Sequence, residues 1–139
     1  MSEEEWKAFV SDEPRTAKLA TVRGDGSPHV APIWIDLDDD GRVVFTTHAE
    51  SLKGKTIQRD PRVALCVDDD RPPFSFVIIE GIAQTSEDPD DLLAWATRIG
   101  GRYMGADQAE AYGKRNGVPG ELLVRVRPTK VIAQADVAD

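Results

Sequence analysis

The chain reads as a small, mainly β barrel, antiparallel, with six or seven strands and α-helices covering its ends. Three observations lead there. Short β-branched runs recur between turn signals at sandwich or barrel spacing. Tight Gly- and Asp-containing turns join several of them, which favours hairpins over crossovers. Helical periodicity is confined to a short opening stretch, one crossover and one late insertion. At 139 residues the chain makes one domain, residues 1–139. A chain of that size can bury roughly two thirds of its unfolded surface, so a core needs no staples.

Ser2 to Glu5 reads as a capping box, followed by Trp6, Phe9 and Val10 on one face of a short helix that Pro14 ends. Lys18 to Val22 is a strand, and Gly24-Asp25-Gly26 a tight turn. His29 to Leu37 is the next β run, with Pro32 implying an edge or an opening in the ladder. Asp38 to Gly41 is a hairpin turn rather than a calcium loop, because no bidentate Glu follows at the required offset. Arg42 to Thr47 returns as a strand, and Ser51 to Asp60 crosses over, partly helical. Val63 to Val67 is a buried strand. Asp68 to Pro73 is a loop. Phe74 to Ala83 is the longest β run, with Val77 and Ile79 on one face and Phe76 and Ile78 on the other. Asp88 caps a helix over Pro89 to Ile99, its inward residues Leu92, Leu93, Trp95, Ala96 and Ile99, and Gly100-Gly101 breaks it. A second helix covers about Ala106 to Lys114. Leu122 to Val126 and Thr129 to Ala133 are final strands interrupted by Pro128.

The net charge of −8 argues against a nucleic-acid partner, which needs a basic face. A single cysteine, Cys66, excludes an internal disulfide and fits the reducing cytoplasm. No apolar run approaches the roughly 20 residues of a membrane span. The opening Met1-Ser-Glu-Glu-Glu is acidic where an export signal would be basic.

Against that acidity, Lys53, Lys55, Arg59 and Arg62 gather in one stretch. Ser51, Lys53 and Lys55 are two residues apart and share a face only if extended or turning, with Gly54 allowing the bend. The expectation is an anion cradle ahead of a helix N-terminus, with Thr46 and Thr47 adding hydroxyls and Arg59 either contributing or pairing with Asp60. No zinc ligand set is spaced as metal sites require, and there is no Gly-x-Ser-x-Gly elbow, Walker loop or Gly-x-Gly-x-x-Gly turn. A phosphate grip without a catalytic constellation suggests a cofactor that brings its own chemistry. The run His29, Val30, Ala31, Pro32, Ile33 offers a floor for a flat ring. Phe76 and Trp34 serve core or dimer contact, ring stacking, or both; Arg102-Tyr103 packs or reaches a partner's site.

The motifs Leu19–Val22, Asp25–Val30, Pro32-Ile33-Trp34, Phe45-Thr46-Thr47, Ser51-Leu52-Lys53, Asp60–Val63 and Glu80-Gly81 stand in the order found in the flavin-binding split-barrel family that contains pyridoxamine 5′-phosphate oxidase, which the chain resembles. Within that family it resembles the branch that uses coenzyme F420, a deazaflavin. The FMN oxidases carry basic residues on the strand here spanning His29 to Leu37, which has none, and the Arg-Leu-x-Pro ending is absent from Ala135 to Asp139. The resemblance implies a homodimer with cofactor sites at the interface, the cofactor being F420 or, alternatively, FMN. It implies hydride transfer from the deazaflavin C5 to a small unsaturated substrate. The remaining readings are an FMN-dependent oxidase or reductase of the same fold, and a protein that holds the cofactor without catalysis.

Overall fold

The computed structural model describes all 139 residues. Seven strands form one antiparallel sheet curled into a half-barrel, with four helices. They are β1 (Ala17–Val22), β2 (Pro28–Ile33), β3 (Asp36–Leu37), β4 (Val43–His48), β5 (Arg62–Asp68), β6 (Phe76–Ser86) and β7 (Glu121–Gln134), in the order β2-β1-β5-β6-β7-β4-β3. The helices are α1 (Glu3–Asp12), α2 (Leu52–Arg59), α3 (Pro89–Met104) and α4 (Ala109–Asn116).

Local signals explain most boundaries. Ser2 and Glu5 form the capping box of α1, which buries Trp6 and Val10. Gly26 and Gly41 adopt positive φ in the turns after β1 and β3. Asp88 accepts from the N–H groups of Asp90 and Asp91 at the start of α3. Alternating residues of β1, β4, β5, β6 and β7 meet inside the curl, where Leu19, Phe45, Leu65, Ile79 and Val124 are fully buried. No helix is long and apolar enough to cross a membrane.

Five expectations need correction. The run from His29 to Leu37 is two strands, since the chain leaves β2 after Ile33 and rejoins the sheet at Asp36. Gly100-Gly101 does not end α3. A Cβ on Gly100 would stand 2.5 Å from Tyr112 Cβ, and one on Gly101 2.9 Å from Ala109 Cβ, so the pair lets α4 pack closely on a continuous α3. Pro128 does not interrupt β7, because a register shift at Glu80/Gly81 accommodates it. Phe74 lies before β6 with φ 62°, and Leu93 is 43% exposed rather than inward.

Helix α3 is fastened to the sheet by polar contacts as well as by Leu92 and Ile99. Arg98 Nε donates to the buried Asp36 at 2.8 Å, and Arg125 donates to Asp91 at 2.8 Å. Arg102 donates to the carbonyls of Val10, Ser11 and Glu13, closing the C-terminal end of α1. Tyr103 Oη donates to Arg15 O at 2.7 Å and accepts from Ile35 N at 3.0 Å. Arg102-Tyr103 is therefore packing and capping machinery in this chain.

Candidate functional site

The ends of β2, β4 and β7 and the N-terminal turn of α2 converge beneath α3 and α4. They enclose an open cleft of about 520 Å³. Apolar lining comes from Pro32, Ile33, Trp34, Ala96 and Ile99; polar lining from Thr46, Thr47, His48, Lys53, Arg115, Asn116 and Glu121. The indole of Trp34 stacks on Tyr103, with ring centroids 5.1 Å apart and planes 5° apart, and also meets Tyr112 at 5.8 Å. Two helices thus hold one wall of the cleft.

The basic stretch is built differently from the expected cradle. Helix α2 begins at Leu52, so Lys53 and Lys55 lie inside it and project in different directions. Lys53 lines the cleft, whereas Lys55 Nζ lies 3.5 Å from Glu50 Oε2. Ser51 is the N-cap: its Oγ accepts from Gly54 N at 3.0 Å and donates to His48 O at 2.7 Å. Thr47 Oγ1 lies 3.1 Å from Ser51 Oγ, so cap and strand end are tied together. Gly54 is not a hinge. A Cβ there would fall 2.2 Å from His48 O, so the residue lets α2 sit directly on the end of β4. Arg59 donates to the Val22 carbonyl, and Asp60 is gripped instead by Arg62, at 3.0 and 2.8 Å. That fork and the Arg62 N–H hold the Asp60 carboxyl down at about 2.

Of the expected site residues, Pro32, Ile33, Thr46, Thr47 and Lys53 meet in the cleft. Strand alternation divides β2: Val30 and Pro32 share the outer face of the sheet with Ala20 and Lys18, while His29, Ala31 and Ile33 pair with Thr21, Leu19 and Ala17 on the inner face. Neither His29 Nδ1 nor the Thr21 hydroxyl opposite it finds a hydrogen-bond partner. Phe76 lies on the outer face in a separate hollow with Cys66, Phe74 and Ile78. Burial pushes the Cys66 thiol up, with Asp68 adding to the effect and Lys18 opposing it.

Sequence reasoning missed His48, Arg115, Asn116 and Glu121. His48 and Glu121 are register partners across β4 and β7, a pairing between distant segments that no local pattern reveals. Burial pushes the Glu121 carboxyl up, and His48 and Lys53 pull it back in part. The cleft therefore combines an apolar wall, hydroxyls, cations and one carboxyl reluctant to ionise. That arrangement suits a ligand with a flat ring and an anionic group.

Comparison with known proteins agrees with the architecture. The sequence model of the pyridoxamine 5′-phosphate oxidase family matches residues 2–135. A pyridoxine/pyridoxamine 5′-phosphate oxidase of Cupriavidus taiwanensis is 32% identical over 118 residues, which cover 83% of this chain and 52% of that protein. The chain spans about half the length of the curated relatives it matches. Among solved structures, a conserved hypothetical protein of Mycobacterium tuberculosis superposes with a TM-score of 0.85 at 29% identity, covering 98% of this chain and 86% of the other. A structure described as an F420 reductase superposes at 0.70 with 28% identity, covering 90% and 94%.

Proposed function

This chain belongs to the pyridoxamine 5′-phosphate oxidase family, and from that premise we propose that it is an oxidoreductase that holds coenzyme F420 in the cleft and reduces a small unsaturated organic substrate. The observation that carries the reading is the meeting of Pro32, Ile33 and Trp34 with Thr46, Thr47 and Lys53 in one cleft. The likeness to the F420 reductase supports the choice of cofactor. So does the location of the cations: β2 contributes no Arg or Lys, and the cleft's Lys53 and Arg115 come from α2 and α4 instead.

The residues fit such a group. Lys53 brings an ammonium and the Thr46 hydroxyl a neutral donor. The first intrahelical bond of α2 runs from Lys55 N to Ser51 O, so the N–H groups of Leu52 and Lys53 precede the helical ladder and suit a phosphate. Pro32, Ile33 and Trp34 would back the ring. When bound, the reduced deazaflavin supplies a hydride. The chain's part is to orient the ring, neutralise the phosphate and exclude water along the Trp34–Tyr103 wall.

We also propose a homodimer. On the outer sheet face Val30, Ala20 and Ala64 lie side by side across β2, β1 and β5, with Ile78 and Ile132 on the next rung of β6 and β7. Val30 is 66% exposed and Ile132 42%, an apolar stripe that a second copy would cover. Phe76 on this face would then approach the partner's cleft. A cytoplasmic setting keeps the lone thiol of Cys66 reduced.

Parallel titrations with F420 and FMN test the reading. F420 is expected to bind and reduced F420 to be oxidised by enone or quinone acceptors. A tight FMN complex without F420 affinity moves the assignment to the flavin enzymes, and binding of F420 without turnover on any acceptor moves it to a cofactor carrier.

A further inference from the structure

The chain is acidic overall, yet two cationic side chains, Lys53 and Arg115, line the cleft with the imidazole of His48 against one carboxyl, Glu121. Arg115 needs explaining. Its neighbour Lys114 is paired with Glu110 at 2.9 Å, whereas Arg115 takes part in no salt bridge. Its guanidinium instead lies 5.4 Å from the centroid of the Tyr112 ring, and Tyr112 meets Trp34, which lines the cleft. A position in the last turn of α4 suits any cation, because it complements the helix dipole. That alone does not account for a guanidinium propped on an aromatic ring beside the cleft, nor for Asn116 lining the same space.

We propose that Arg115 and Asn116 are a second set of anion ligands in the cleft, acting with Lys53 on a phosphate-type anion, and that Glu121 ties anion binding to proton uptake. The proposal rests on the reading of the cleft as the cofactor site, and it assigns the anion to the cofactor's phosphate. A guanidinium offers a planar pair of donors, which an ammonium does not, so Arg115 would fix the orientation of the phosphate while Lys53 supplies a point charge. Glu121 feels His48 from β4 and Lys53 from α2 and shares the cleft with Arg115 from α4, while α3 contributes only Ala96 and Ile99 to that space. An incoming anion meets repulsion from ionised Glu121 and none from the neutral acid. Its half-buried setting already favours the neutral acid.

Sulfate tests this without any cofactor, because it stays dianionic across the range of pH used. The probe is the indole N–H resonance of Trp34, with Trp6, outside the cleft, as reference. Sulfate is expected to shift the Trp34 signal, and Arg115→Gln to weaken that binding about tenfold. Lys114→Gln is the control for lost surface charge. His48 also favours anions once protonated, so the pH dependence is compared in a His48→Gln background. There, affinity should rise as pH falls through the Glu121 titration, which burial places above the ordinary 4.5, and Glu121→Gln should make it high and flat. FMN and riboflavin, or F420 with and without its phosphate, then separate the phosphate from the ring: Arg115→Gln should weaken only the phosphorylated form. Sulfate affinity unchanged in Arg115→Gln overturns the proposal, as does a pH dependence that survives Glu121→Gln or equal losses for both cofactor forms. Sulfate binding that depends on Arg115, in a protein that binds neither F420 nor FMN, sustains the clamp and rejects the cofactor reading alone.

Discussion

Lys53 and Lys55 stand two residues apart in α2 and serve different surroundings: Lys53 lines the cleft, and Lys55 Nζ rests 3.5 Å from Glu50 on the open surface. Lys53→Ala should weaken cofactor binding by about 1–3 kcal/mol, the worth of a charge-assisted bond. Lys55→Ala should change it by less than about 0.5 kcal/mol. Equilibrium titrations of the two variants check this, and equal losses would restore the symmetrical cradle expected from the spacing.

Gly54→Ala should be far more damaging than an Ala for Gly exchange in a free helix, where it stabilises. The added Cβ would sit 2.2 Å from His48 O and 3.0 Å from Ala49 O, both backbone atoms. Helix α2 must shift off the end of β4, at a cost of about 1–3 kcal/mol. Denaturant unfolding reads the loss of stability, and cofactor affinity should fall with it because Lys53 moves too.

Tyr103→Phe removes one hydroxyl that serves two backbone groups, Arg15 O and Ile35 N. With Ile35 fully buried, its N–H would lose that partner, so about 1–3 kcal/mol of stability should be lost. Near-ultraviolet circular dichroism should show a weakened Trp34–Tyr103 stack. An unchanged midpoint and spectrum would mean the wall is held by packing alone.

Glu121 has its carboxyl raised above the ordinary value of 4.5 by burial. A group raised on folding contributes stability that is fully present below its unfolded value and is lost as pH rises through the folded one. Stability should therefore decline as pH climbs above about 4.5 because of this residue, and Glu121→Gln should remove that part of the slope. Thermal melts of both proteins across the weakly acidic range provide the comparison.

Val30→Asp places a charge in the exposed apolar stripe of the outer face. Light scattering after gel filtration should find a dimer for the parent chain and a monomer for the variant. A parent chain that is monomeric at all concentrations contradicts the proposed assembly.

These expectations show where sequence is informative and where it is not. The caps at Ser2 and Asp88, the turns at Gly26 and Gly41 and the alternation of β6 are local, and each is readable from a few neighbouring residues. The glycines at 54, 100 and 101 mislead because their reason is tertiary. They are small where another element presses close, not flexible where the chain bends. Pro128 misleads likewise, since the partner strand absorbs it. For the site, Thr46, Thr47 and Lys53 come from one stretch and were visible together. Ser51 was visible too, but its hydroxyl is spent on capping α2. His48 and Glu121 meet only through the register of β4 and β7, and Arg115 arrives only because α4 folds back on α3 through those glycines.

The central claim is that Lys53 anchors the phosphate of a deazaflavin in this cleft. Its most direct test is a fluorescence titration of the parent chain and Lys53→Ala with coenzyme F420. The account predicts saturable binding to the parent and a loss of about tenfold or more in the variant. Equal affinity in both, or no binding to the parent, would contradict it.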